Sequence, residues 1–399
     1  MTWILILLFA WPFLAIGLSL AWRRRLLALW REPMFKVPIL IVESDDWGSG
    51  PPEQAEALAK LAACLSRHRD SSGRPAVMTL ALVLAVPEPI LRQSDPWLWR
   101  TLADPAMQPI LAAIQAGRNE DIFAPQLHGL AHFWPDAVLA AAHKQPEVRA
   151  WLAAPDLTEH LPSPLQSRWT DTSVLPSRPH SRQAVADAVA EEIGQYTALL
   201  GYAPEAVVPP TFVWNRDVEA AWAELGIQVV ITPGRRPTGR DGAGRPAGVD
   251  RHMLNGERGE GGVFYLVRDD YFEPAFGHRP EQALAALARK TALGRPCLLE
   301  THRSNFLSAT CTDPASAFAA LDTLYRQALR DYPTLRFASC VELGRAMRGN
   351  DPAWIEHDRR RRFTIWLRRV SALPRFGKAA RLTGLLPLLN LFTRSDLRP

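Results

Sequence analysis

Three groups of polar side chains in this 399-residue chain are placed for chemistry, because each closes a short apolar run. The first is the adjacent pair Asp45 and Asp46, in the stretch Lys36-Val-Pro-Ile-Leu-Ile-Val-Glu-Ser-Asp-Asp-Trp-Gly48. Neighbouring residues on an extended chain point to opposite sides, so one carboxylate can take a metal while the other faces water or substrate. The second is His128 with His132, in Ala124-Pro-Gln-Leu-His-Gly-Leu-Ala-His132. Histidines four apart meet on one face if the chain turns helical after the strand, and Gly129 would ease that turn. Two imidazoles and one carboxylate leave a metal an open position for water. The third is His302, in Leu298-Leu-Glu-Thr-His-Arg-Ser-Asn305. Taken singly, each group is as readily a strand end, a helix cap or a packed histidine. All three, however, fall at the carboxyl ends of apolar runs, where active sites of α/β folds collect. The joint reading as one site is favoured.

The elements that must position them alternate. Short apolar or β-branched runs at 39–43, 76–84, 122–127, 206–209, 228–232, 263–268, 297–301 and 335–338 predict strands. Helical periodicity lies between them at 53–67, 107–116, 137–153, 182–200, 218–225, 281–292 and 315–329. Such alternation predicts a parallel sheet, open or closed into a barrel. Two stretches interrupt it, 155–180 and 233–258; their Pro, Ser, Gly and Arg content predicts long surface loops or lids.

The net charge of +5 is unevenly spread: 359–399 carries +10 and 1–36 carries +4, so the middle carries −9. An acidic body with basic ends argues against a nucleic-acid-binding body and suits membrane-facing ends. Four scattered cysteines form no CxxC pair and predict neither a disulfide framework nor a zinc knuckle. Residues 3–22 hold no charge and are followed at once by Arg23-Arg24-Arg25. That length and order predict a transmembrane anchor over 1–25 rather than a cleaved signal peptide. The positive-inside rule then puts the body on the cytoplasmic side. The tail, 354–399, mixes arginines with apolar residues as a basic membrane-surface helix does.

The stretch Ser44-Asp-Asp-Trp-Gly48, the His128–His132 pair and His302 together resemble the polysaccharide deacetylase superfamily (NodB-type, carbohydrate esterase family 4). The resemblance covers 36–347 and implies an α/β fold, a distorted (β/α) barrel. It implies one divalent metal, zinc first and cobalt, manganese or nickel as alternatives, held by Asp46, His128 and His132. It further implies Asp45 as general base and His302 as general acid. Two departures mark the chain as divergent. Val208 stands where the family's third motif has the arginine that partners the base, and Thr211 stands where it has tyrosine. The fourth motif has no clear counterpart, Asp269-Asp270-Tyr271 being the nearest.

The expected function is therefore a metal-dependent deacetylase acting on the acylamino group of a sugar in cell-surface polysaccharide or glycolipid assembly. The expected substrate is an acylated amino sugar, lipid-linked, nucleotide-linked or polymeric. A backbone N–H at Thr211 would bind the oxyanion, Arg303 and Asn305 would orient His302, the base or the substrate, and Trp47 and Trp214 would stack on sugar. The expected location is the bacterial inner membrane, single-pass, with a cytoplasmic body or, alternatively, a periplasmic one. Membrane lipids are expected partners and nucleic acid is not. Two rival functions stand beside this: an inactive membrane-attached barrel serving as a partner in glycan assembly, and a glycosidase using a carboxylate pair.

Overall fold

Alternation along the first strand sets the architecture. The computed structural model describes residues 2–90, 97–155 and 157–391, side chains of 2–10, 159 and 390 excepted. Strand β1 is Ile39–Gly48, and all ten of its residues are buried. Leu40 and Val42 face outward into the layer between sheet and helices, whereas Ile39 and Ile41 face inward. Both faces are covered, as in sheets wrapped by helices.

Eight further strands complete the sheet: β2 Met78–Val83, β3 Phe123–Leu127, β4 Ala206–Val207, β5 Val229–Thr232, β6 Phe264–Val267, β7 Asp270–Tyr271, β8 Cys297–His302 and β9 Arg336–Phe337. Their order is β6-β5-β4-β3-β2-β1-β8-β7, with β9 beside the start of β1, and every pairing is parallel. The two ends of this curled half-barrel, β6 and β7, are neighbours in sequence, joined by Arg268 and Asp269.

The inner face is apolar at its base, where Ile39, Ile41, Ala206, Val229, Ile231, Leu266 and Leu298 pack together. Leu343 and Met347 of helix α11, Cys340–Arg348, plug it from below. Higher up the same face turns polar. Register pairs Glu43 with Glu300 and Asp45 with His302, so four titratable groups of β1 and β8 stack in two layers above the apolar floor. Counted in chain order, the outer helices include α3 Gln54–Leu65, α4 Gln108–Asn119, α7 Arg182–Leu200, α8 Arg216–Glu224, α9 Pro280–Ala292 and α10 Pro314–Asp331. The helix expected over 137–153 is instead two, α5 Pro135–Ala142 and α6 Pro146–Ala153, because Pro146 cannot continue the first. Loop 233–258 is pinned by two antiparallel ribbons, Arg235–Arg236 with Arg251–His252 and Gly239–Arg240 with Pro246–Ala247.

The chain ends carry two expectations, the anchor and the tail. Helix α1 runs Thr2–Ala21, but the side chains of residues 2–10 lie outside the described ones. Among the described residues no helix is long and apolar enough to cross a membrane. The tail does not lie free. Helices α12 Arg359–Ser371, α13 Pro374–Leu382 and α14 Leu385–Leu391 pack on α2, Arg23–Arg31, through Leu29, Leu367, Val370, Phe376 and Leu386. Buried Arg369 clasps this unit to the body, donating to the carbonyls of Leu29, Glu32, Pro33, Leu293 and Gly294. Residues 392–399 of the expected tail lie outside the described residues.

Where β1 reaches the mouth its pairing with β2 slips between Ser44 and Trp47, a β-bulge, and Asp46 takes φ 72°. A left-handed aspartate costs about 1–3 kcal/mol and persists only where its surroundings hold it. Gly48 supplies part of that hold: at φ 119° an added Cβ would meet the Val83 carbonyl oxygen at 2.2 Å. Gly48→Ala should destabilise the fold by about 2 kcal/mol or more and displace the bulge, measured by urea unfolding. An unchanged midpoint would show that the bulge tolerates a side chain there.

Candidate active site

The bulge overturns one expectation directly. Asp45 and Asp46 do not point to opposite sides: the left-handed turn at Asp46 brings both carboxylates to one cavity of about 300 Å³. His128, His132, Val208, Thr211, Phe276, Glu300 and His302 line it with them.

One group of side chains converges as metal ligands do. His132 Nε2 lies 3.0 Å from Asp46 Oδ1, His128 Nε2 lies 3.5 Å from it, and the two Nε2 atoms are 2.7 Å apart. Donors sharing a tetrahedral cation at zinc–nitrogen and zinc–oxygen distances stand about 3.3 Å from one another. His128 Nδ1 is 2.8 Å from the Val208 carbonyl oxygen, which can only accept. The proton is thereby fixed on Nδ1, and the Nε2 lone pair is free for a metal. The donor set fits a divalent cation such as zinc. The helix expected at 128–132 is absent; an irregular turn, with Gly129 at φ 98°, achieves the same convergence.

The second group surrounds Arg268, which closes β6 and is fully buried. Its Nη1 and Nη2 donate to Asp45 Oδ1 and Oδ2 at 2.9 and 2.6 Å. Nη1 also lies 3.0 Å from Glu43 Oε1, and Nε 3.2 Å from Glu300 Oε2. The Phe212 ring covers the guanidinium at 5.1 Å. One cation thus serves three carboxylates, and geometry decides which is ionised. Burial raises the pKa of all three. For Asp45 the bidentate pair with Arg268 and the nearby His128 outweigh burial and hold it below the usual carboxylate range. Glu43, with Gln126 and Cys340 as further partners, is pushed up to about 7, and Glu300 is also raised. The arginine paired with Asp45 is thus Arg268, next after β6, and not Arg303, which is buried beside Gly50.

Across the cavity His302 Nδ1 lies 2.6 Å from Glu273 Oε1. Asn305 Nδ2 donates to Glu273 Oε2, to Thr301 Oγ1 at 3.1 Å and to the His302 carbonyl at 3.0 Å. Asn305 thus fixes the carboxylate that fixes the imidazole. Burial alone would lower the His302 pKa; the hydrogen bond to Glu273, with Asp46 and Asp45 nearby, pushes it up to about 10. The partner of His302 is therefore Glu273 and not Asp269 or Asp270, which pair with Lys290 and Arg289.

Two expected substrate contacts are displaced. Trp47 and Trp214 are fully buried, their indole N–H groups donating to Ser44 Oγ and Glu219 Oε2. Neither can stack on a ligand from outside. Phe276, by contrast, lines the cavity and is 74% exposed. Thr211 lines the cavity at φ 53° on the turn after Pro210.

No protein-family model matches the chain, and no curated protein matches it. Among solved structures it is similar to a provisionally named polysaccharide deacetylase from Mycobacterium smegmatis, at 12% identity and TM-score 0.42, covering 81% of this chain and 94% of that one. It is also similar to a family 4 carbohydrate esterase from Streptomyces lividans, at 10% identity and TM-score 0.34, covering 76% and 92%. A third similarity is to 4-alpha-glucanotransferase from Thermococcus litoralis, at 9% identity and TM-score 0.40, covering 90% of this chain. There the chain spans about half of the other's length, 48%.

Glu43 makes the site's electrostatics measurable without a substrate. Folded, it keeps its proton to about pH 7, while an unfolded glutamate releases it near 4.5. Between these values the folded state binds more protons, so Glu43 lowers stability as pH rises, by up to about 3 kcal/mol across the window. Glu43→Gln should make the fall in stability between pH 5 and 7.5 shallower by that amount in urea unfolding, with Glu300 and His302 keeping their own shares. Parallel slopes in both proteins would mean Glu43 is ionised in the folded state.

Proposed function

We propose that the chain is a metal-dependent hydrolase that removes an acyl group from an amino sugar. One observation carries the reading: an ionised carboxylate locked by an arginine, a convergent Asp/His/His donor set and a carboxylate-backed histidine share one cavity. Asp46, His128 and His132 would hold the cation. When bound, a divalent cation there supplies Lewis acidity toward the acyl oxygen and acidifies water.

The chain's own residues do the rest. Asp45, kept ionised and immobile by Arg268, accepts a proton from the attacking water. His302, kept protonated through neutral pH by Glu273, gives a proton to the departing amine. Arg268 is a positioning residue, and Asn305 acts likewise through Glu273. The turn at Thr211 brings main chain to the mouth, and its N–H is the proposed oxyanion donor. The exposed ring of Phe276 offers an aromatic face to a sugar. With Arg268 present, the missing motif arginine no longer favours an inactive barrel.

For location we propose the cytoplasmic face of a bacterial membrane. Supporting it, the unit formed by α2 with α12 to α14 exposes Arg23, Arg24, Arg25, Arg359, Arg360 and Arg361 beside Leu27 and Leu382. A periplasm-only reporter fused to the C-terminus should stay inactive; activity would sink this placement.

Acetate release from N-acetylated oligosaccharides and nucleotide-linked N-acetyl sugars tests the chemistry. Asp45→Asn and His302→Ala should each lower kcat by about 10²–10⁴-fold with metal content unchanged. Glu273→Gln should let the His302 pKa fall from about 10 toward 6.5. Since an acid works while protonated, the alkaline limb of the rate profile should move to lower pH. An unmoved limb would remove His302 from the acid's role.

A further inference from the structure

A second cavity, of about 650 Å³, opens between α3 and α10, and it shares no lining residue with the first. Ala57, Phe306, Leu307 and Phe318 give it apolar walls. Beside it meet the Cys64 thiol, the His68 imidazole and the Asp322 carboxylate, with one donor atom of each within 4.8 Å of the others. Cys64 and His68 stand four residues apart across the end of α3, and Asp322 faces them from α10. Cys64 is 4% and His68 8% exposed, while Cys64 and Asp322 also line the cavity.

The geometry is held from several sides. His68 Nε2 lies 2.9 Å from Asp322 Oδ1, and the imidazole stacks on Tyr325 with centroids 5.5 Å apart. Arg67 Nη2 donates to the same Asp322 oxygen at 2.9 Å and also reaches the Cys64 thiol. A positive charge therefore already bridges the thiol and the carboxylate. The Arg67 side chain is 62% exposed, so it can swing into solvent without opening the core. Arg326, the other cation on Asp322, holds the opposite oxygen at 3.3 Å.

Thiol, imidazole and carboxylate form a donor set for a borderline-soft cation, and the cavity leaves room for a fourth ligand. We propose that Cys64, His68 and Asp322 form a second metal site, for a zinc- or cobalt-class divalent cation, with Arg67 as its built-in competitor. Binding replaces Arg67 and transfers the Cys64 proton to solvent, so affinity rises with pH. The cation then ties α3 to α10 on the outside of the barrel. This site stands whether or not the chain is a deacylase.

The test is titration of the full chain with Co²⁺, read by absorbance. Only a thiolate ligand gives sulfur-to-cobalt charge transfer in the near ultraviolet; the Asp46/His128/His132 set contains no sulfur. The full chain should develop that band, and Cys64→Ser and His68→Ala should lose it. Arg67→Ala, which leaves all three donors in place, should bind cobalt about tenfold more tightly once the competing charge is gone. No such band at saturating cobalt overturns the proposal, as does a band that survives in Cys64→Ser. An Arg67→Ala affinity equal to that of the full chain overturns it too, and that variant carries the test if Cys64→Ser fails to fold.

Discussion

A single buried guanidinium organises the upper half of the barrel. Arg268 lies on the link between the two end strands of the sheet, facing Glu43 and Asp45 on β1 and Glu300 on β8. Removing a charge from water costs several kcal/mol, and a buried cation is stable only if well paired. Here three carboxylates offset it, more than it can neutralise. The surplus is settled by protonation: the bidentate partner Asp45 stays ionised while Glu43 and Glu300 are raised. One ionised carboxylate is thus selected from three similar acids by geometry alone.

That arrangement depends on register. Glu43 must oppose Glu300 and Asp45 must oppose His302, since a one-residue slip would turn these side chains into the apolar layer outside. The apolar base of the barrel fixes the register below, and the bulge at Asp46 releases it above. Regular alternation thus ends where the donor set begins. Arg268, on the link between the unpaired end strands β6 and β7, ties that link to the orientation of Asp45.

Much of this was legible in the sequence. Asp45, Asp46, His128, His132 and His302 line one cavity, as polar residues closing apolar runs at strand ends are expected to, and the eight expected strands all form. Arg268 obeyed the same rule, closing the run 263–268, yet its partner lies 223 residues away and no local pattern states that pairing. Glu43 and Glu300 carried a weaker signal, a carboxylate inside an apolar strand, which implies a buried cation nearby. Glu273 and Phe276 belong to a loop whose path no periodicity determines. Trp47 and Trp214 were misassigned because adjacency to a motif was read as exposure. Asp46 faces the same cavity as Asp45 because alternation holds only while the strand stays extended.

The most direct test of the central claim is anomalous diffraction at the zinc edge from crystals of the intact chain grown with zinc. The account predicts a peak about 2.0–2.2 Å from an Asp46 carboxylate oxygen, His128 Nε2 and His132 Nε2, with Asp45 still paired to Arg268. No peak at that triad, or Asp45 turned from Arg268 to bind the metal beside Asp46, would contradict it.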